Sequence, residues 1–342
     1  MSGKKRVSWI DAAKGSGIFF VVMAHITADP LLYRFLVSFL MPLFFFLSGI
    51  TFNFSRQEQF IRRHVRSLLV PYFVFCALSF LYWFIFERHF RHFYFNATFA
   101  FLNIFIAQGG KYIFNSVMWF LPCLFIVEVC FYIICKKVYS RTGVSLIIFS
   151  CMLIGFALSG AEPFPSSFRL PVRLPWMLDT AMVSIPFLYA GAMFSGLTGR
   201  QWLGRWSYDT CGAVSFIAYA LCIGLAMLFP SKMDLAEFIL PNPLLFIVGA
   251  CSGITAIITA AMLVPAPWLQ ALGRMSLVIM CIHEPIKRIL LKIAEVISGI
   301  SITDLRAGVF TYVAMTAITV FVCVLCIRVY TVFAQCLTEK KT

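Results

Sequence analysis

Charge is scarce in this sequence. Lys, Arg, Asp and Glu make up 12% of its 342 residues, while 61% are hydrophobic. So little charge excludes an ordinary soluble domain, which cannot hide that much apolar surface in its core. No stretch is long or polar enough to form a separate soluble domain. No internal repeat, low-complexity segment or linker divides the chain. A cleavable signal peptide is also a poor reading of the N-terminus. The apolar run after Arg6 holds Asp11, Lys14 and His25 and has no small-residue cleavage site leading into a soluble domain, so a retained first transmembrane helix is expected. Nor is Gly15-Ser16-Gly17 a phosphate loop, because it lacks a third glycine and a preceding strand.

What is present fits lipid as the solvent. The 38 Phe residues are spread over the whole chain, as expected for helices that are apolar around most of their circumference. Stretches long enough to span occur near 9–28, 33–54, 68–87, 117–135, 144–160, 177–196, 211–230, 243–264, 275–294 and 308–334. The expectation is an all-α integral membrane protein, a polytopic bundle of about ten transmembrane helices forming a single domain over 1–342. The apolar stretch from Phe93 to Ala107 is short, and re-entrant, interfacial and eleventh-span readings remain open for it. Nearly all of the 12 cysteines lie inside apolar runs and act as small hydrophobes, including the Cys323-x-x-Cys326 pair. No structural disulfide is expected.

The formal charge of +14 would suggest nucleic acid in a soluble protein, but here the cations sit between apolar runs, so membrane orientation explains them better and no nucleic-acid partner is expected. Basic clusters at Lys4–Arg6, Arg56–Arg66, Lys136–Arg141, Arg200–Arg205 and Lys340–Lys341 fall on one side if there are ten spans. By the positive-inside rule that side is the cytoplasm, with both termini inside. Arg88, Arg91, Lys111, Arg169, Arg173, Lys287, Arg288 and Lys292 remain on the outer side, a surplus that orientation leaves unexplained. An anionic glycan or the diphosphate of a lipid carrier would account for it, as would solvated charge near headgroups.

Ionisable residues inside lipid-length runs are costly unless they face a cavity or a partner. Asp11, Lys14, His25, Glu128, His283 and Glu284 are such residues. On a helix, Lys14 and His25 return to nearly the same azimuth, with Asp11 one turn below, so one face of the first helix is polar. Lys14 and His25 are roughly 16 Å apart along the axis, too far for an acid/base pair but suited to the two ends of one long ligand. Glu128 reads as a glutamate bonded to another helix. His89 and His92 have metal-ligand spacing, but Arg88 and Arg91 beside them oppose a cation, and no metal is expected.

The blocks WIDAAKGSGIFFVVMAH (9–25), MPLFFFLSG (41–49), RRHVRSLLVPY (62–72), WFLPCLF (119–125) and LGRMSLVIMCIHEP (272–285) resemble, in order, the acyltransferase-3 family of membrane-bound O-acyltransferases. The resemblance implies transfer of an acyl group, commonly acetyl from cytoplasmic acetyl-CoA, to hydroxyls of bacterial surface glycans or their lipid-linked precursors, in the inner membrane. It makes His25 the catalytic residue. In the family a basic residue, usually Arg, stands eleven positions before this His, and here it is Lys14, as in the branch that resembles sugar O-acetyltransferases. Lys lacks the planar fork that grips a phosphate at two points. Arg63 and Arg66 match the family's Arg-x-x-Arg and, with Lys14 and Asp11, are candidates for the donor end of the site. The family has a His in the block that holds His283, which implies a supporting role. Trp119 and Ser276 are candidate donors to the oxyanion. The alternatives are a secondary transporter of a small or lipid-linked solute, against which the missing repeat symmetry counts, and a transferase of succinyl or another acyl group.

Overall fold

A computed structural model describes residues 7–53, 59–89, 96–108, 114–170, 172–196, 206–229 and 233–339. Lys4, Lys5, Arg6, Arg56, Arg91, His92, Lys111, Arg200, Arg205, Lys340 and Lys341 lie outside these residues. The described chain is helical throughout, in the order α1 (Ser8–Ile26), α2 (Pro30–Thr51), α3 (Phe60–His64), a π turn (Val65–Leu69), α4 (Val70–Ile85), α5 (Ala97–Ile106), α6 (Phe120–Lys137), α7 (Arg141–Ser159), α8 (Leu178–Gly196), α9 (Tyr208–Leu228), α10 (Pro243–Leu263), α11 (Pro267–Ser298), α12 (Ile302–Ala307) and α13 (Val309–Glu339). Among the described residues an isolated bridge, Asp234 to Ile239, is the extended pairing present. Cysteines from Cys76 to Cys326, eleven in all, are free.

Nine helical stretches among the described residues are long and apolar enough to cross a membrane, so the chain is an all-α, polytopic membrane protein. The remaining apolar stretch of the sequence, near 275–294, falls in α11, whose 32 residues include Arg274, Glu284, Lys287, Arg288, Lys292 and Glu295. This helix is long enough to span but too highly charged to do so as a purely lipid-facing rod. Its helical run continues through Pro285. The 10 residues of α5 rise only about 15 Å, half of a hydrocarbon core of about 30 Å, so this segment does not span.

Contacts divide the chain into two compact units, Met1–Leu36 with Ile257–Thr342, and Val37–Ala256. In the first, α1 and α11 meet at a reciprocal glycine crossing. A Cβ on Gly15 would lie 1.9 Å from the Leu269 carbonyl oxygen, and one on Gly273 would lie 1.8 Å from that of Asp11. Only residues without side chains allow so close an approach, which in lipid replaces the hydrophobic effect as the reason for two helices to pair. Ten residues beyond these glycines lie His25 and His283, with ring centroids 5.3 Å apart. Equal distances along both helices mean that α1 and α11 run parallel. Seven apolar spans lie between them among the described residues, and an odd number of crossings is what a parallel pair requires. An eleventh span at α5 would have made the pair antiparallel.

The glycine crossing yields a sharp expectation. Gly273→Ala puts a methyl group inside the Asp11 carbonyl and destabilises the protein by roughly 1–3 kcal/mol through overpacking. Gly212→Ala, where a Cβ meets nothing within 4 Å, is the control. Thermal unfolding in detergent should separate the two, and equal midpoints would remove the crossing from the account of stability.

In the second unit α8 packs against α6 and α7, and a second reciprocal crossing joins it to α2. Cβ atoms on Gly49 and Gly191 would lie 1.9 Å and 2.0 Å from the carbonyl oxygens of Leu188 and Phe46. Arg173, part of the unexplained basic surplus, proves to be structural. Its guanidinium grips the fully buried Asp179 at 2.7 Å and 3.1 Å, donates to Thr180 Oγ1 at 2.6 Å and reaches the Ala236 carbonyl at 2.8 Å. It thereby ties the loop after α7 to the start of α8 and to the 233–240 loop.

Candidate active site

The site forms where α1 ends. Asp29 accepts from the Leu31 and Leu32 amides at 2.8 Å and 3.2 Å, and with Pro30 as the first helical residue it starts α2. The preceding helix must therefore stop, and its last carbonyls are left without intrahelical donors. Cations take them. Lys287 Nζ lies 3.3 Å from the His25 carbonyl oxygen, and Arg306 Nε lies 2.8 Å from that of Ile26. Positive charge at a helix C-terminus also suits the macrodipole. The last turn of α1, with His25 on it, is thus clamped to α11 and α12.

Glu284 is the hub of this clamp. Its Oε2 accepts from Lys287 Nζ at 2.7 Å, and its Oε1 accepts from Arg288 at 3.0 Å and 3.2 Å. These partners sit three and four residues on along α11, the spacing at which side chains on a helix meet. His25 Nδ1 stands 3.8 Å from Oε2, close enough for charge to be felt and beyond a hydrogen bond. The exposures decide the roles. The His25 side chain is 36% exposed and that of Glu284 6%, so the imidazole is the member of the group that a substrate can reach. His283, fully buried, backs the site from α11. Its Nδ1 lies 3.0 Å from the Ile279 carbonyl oxygen and must carry the proton, since a carbonyl only accepts.

His25, His283 and Glu284 bring one ligand atom each within 4.8 Å of one another, a grouping that invites a metal reading. The charges oppose it, because Lys287 and Arg288 already occupy both oxygens of Glu284 and put two cations where a third would have to sit.

Of the residues singled out in the sequence, the structure joins His25 with His283 and Glu284. Asp11 and Lys14 lie at the other end of α1, Asp11 buried against the glycine crossing and Lys14 half-buried. Ser276 is half-buried two turns before His283, about 10 Å away along α11. Trp119, buried in a 3-10 turn (Ser116–Trp119), and the exposed Arg63 and Arg66 belong to the second unit. Lys287 and Arg288 went unrecognised in the sequence, where they counted as surplus outer charge. Their i, i+3 and i, i+4 spacing from Glu284 was the available signal.

The family model described as "Acyltransferase domain", that of acyltransferase-3, matches residues 7–328. No curated protein and no solved structure matches the chain. The matched span covers the second compact unit, most of the first and every residue of the cluster around His25, and the chain belongs to the acyltransferase-3 family of membrane acyltransferases.

Proposed function

We propose that this membrane acyltransferase moves an acetyl group from acetyl-CoA to a hydroxyl of a bacterial cell-surface polysaccharide or of its lipid-linked precursor. It works in the inner membrane with both termini in the cytoplasm, the side to which the basic clusters of the sequence point. The observation that carries the reading is the half-buried His25 at the end of the first helix, beside the buried carboxylate of Glu284, which in turn holds Lys287 and Arg288.

In this mechanism the acceptor hydroxyl donates to a lone pair of His25. As the proton passes to the imidazole, the hydroxyl oxygen attacks the thioester carbonyl carbon and the carbonyl electrons move to oxygen. Glu284 faces Nδ1 and compensates the charge that appears on the ring. When the tetrahedral intermediate collapses, the C–S bond breaks and the CoA sulfur takes the proton from His25. The products are an acetyl ester and CoA thiol. The polar stripe of α1 from Lys14 to His25 suits the pantetheine arm in length, roughly 16 Å. The guanidiniums of Arg63 and Arg66 suit the donor's phosphates, which Arg grips at two points.

The test is the ester content of the surface glycan, by proton NMR before and after mild alkali, in a deletion strain carrying either the wild-type gene or an empty vector. An alkali-labile acetyl signal present with the gene and absent with the vector is expected. A labile signal from a different acyl group would replace acetyl as the cargo, and identical spectra would remove the glycan as acceptor.

A further inference from the structure

The second unit buries a carboxylate that the chemistry at His25 does not use. Glu128, midway along α6, is 7% exposed. Ser48 of α2 donates its hydroxyl to Glu128 Oε1, and His64 at the end of α3 places Nε2 at 3.0 Å from Oε2. The other ring nitrogen of His64, Nδ1, lies 2.7 Å from the Phe60 carbonyl oxygen. A carbonyl only accepts, so Nδ1 carries a proton, and the contact across the 3.0 Å gap needs a second one. Histidine and glutamate therefore hold that proton between them. Rings add to the bond: Phe60 packs on His64 with centroids 4.0 Å apart and stacks on Tyr132 of α6 at 4.3 Å. The short α3 is pinned to α6 by both means.

On the same turn, Arg63 precedes His64 and Arg66 follows two residues later. Helical geometry turns them about 100° and 200° away from a histidine that faces inward, and both are exposed. Immediately after His64 the backbone widens into the π turn that holds Arg66. Such turns are rare and recur at functional sites.

We propose that the Ser48–Glu128–His64 chain is a positioning device for the acyl donor, fixing the turn from which Arg63 and Arg66 project toward the phosphate groups of an acyl-CoA. The proposal rests on the reading of those two arginines as donor-binding. A pre-set pair of guanidiniums binds a polyanion more tightly than a mobile pair, because less ordering is left to be done on binding.

The test uses the full-length protein in detergent, with acetyl-CoA as the varied substrate and calorimetry of acetyl-CoA binding as a second readout. Glu128→Ala should raise the donor KM and Kd about tenfold. It should leave kcat at saturating donor, and the acceptor KM, within about twofold of wild type. Glu128→Gln should restore donor affinity, since its amide can accept from Ser48 and donate to a His64 protonated only at Nδ1. The double variant Glu128→Ala/His64→Ala should bind the donor no more weakly than either single variant, as expected of residues acting as one unit. If Glu128→Ala does not fold, Ser48→Ala offers the same reading with a smaller rise in donor KM. Unchanged donor KM in these variants, or a loss confined to kcat, overturns the proposal. Failure of the donor reading looks different: the wild-type protein would not bind acetyl-CoA, or Arg63→Ala with Arg66→Ala would leave its affinity unaltered.

Discussion

On the proposed mechanism, His25→Ala is expected to lower kcat for acyl transfer about 10²–10⁴-fold, the usual contribution of a positioned general base, and to leave acetyl-CoA binding intact. The expectation comes from the exposure of His25 beside buried partners. No other imidazole of the group can stand in, since His283 is fully buried with its Nδ1 committed to the Ile279 carbonyl. Release of CoA thiol, followed with a thiol reagent in membranes that supply the acceptor, measures the rate, and calorimetry measures donor binding. A variant that keeps its kcat would sink the mechanism. One that loses donor binding along with activity would move His25 from the chemistry to the donor pocket.

The second large effect is on stability. Glu284→Ala leaves Lys287 and Arg288 beside one another without their shared carboxylate, at side-chain exposures of 10% and 19%. Removing one partner of a buried ion pair costs about 3–5 kcal/mol, because the remaining charge stays uncompensated. The loss should appear as a lowered unfolding midpoint in detergent. Lys287→Met removes one cation and one cap from α1 but leaves Glu284 paired with Arg288, so it should cost less. An unaltered midpoint in Glu284→Ala would mean that solvent reaches the cluster and that the clamp on α1 is weak.

The parts of this arrangement legible in the sequence are those with a local cause. The stripe of Asp11, Lys14 and His25 needs only the helical repeat, and α1 is one continuous helix from Ser8 to Ile26. The apolar runs gave the helices because length and lipid leave the backbone little choice. Glu128 is bonded to another helix, as its place inside an apolar run suggests, with Ser48 and His64 as partners. The pairings between distant segments were not legible. Lys287 holds the carbonyl of His25 from 262 residues away, and no local pattern announces a bond of that range. Nor was Gly273 legible as the counterpart of Gly15. Arg173 looked like surplus charge because its partners, Asp179, Thr180 and the Ala236 carbonyl, come together only through two loops.

The parallel pairing of α1 with α11 sets a timetable for the chain's birth. α1 enters the bilayer first, and its partner is separated from it by about 240 residues, so at 5–20 residues per second the two meet roughly 10–50 s later. For that interval the first helix carries Asp11, Lys14 and His25 into lipid with neither the glycine seam nor the Glu284 cluster to receive them. On the proposed mechanism the nascent protein is inert as well as exposed until almost the last helix has been made, because the cluster around His25 is incomplete without α11. Quality control of this protein has its natural target in an orphaned first helix.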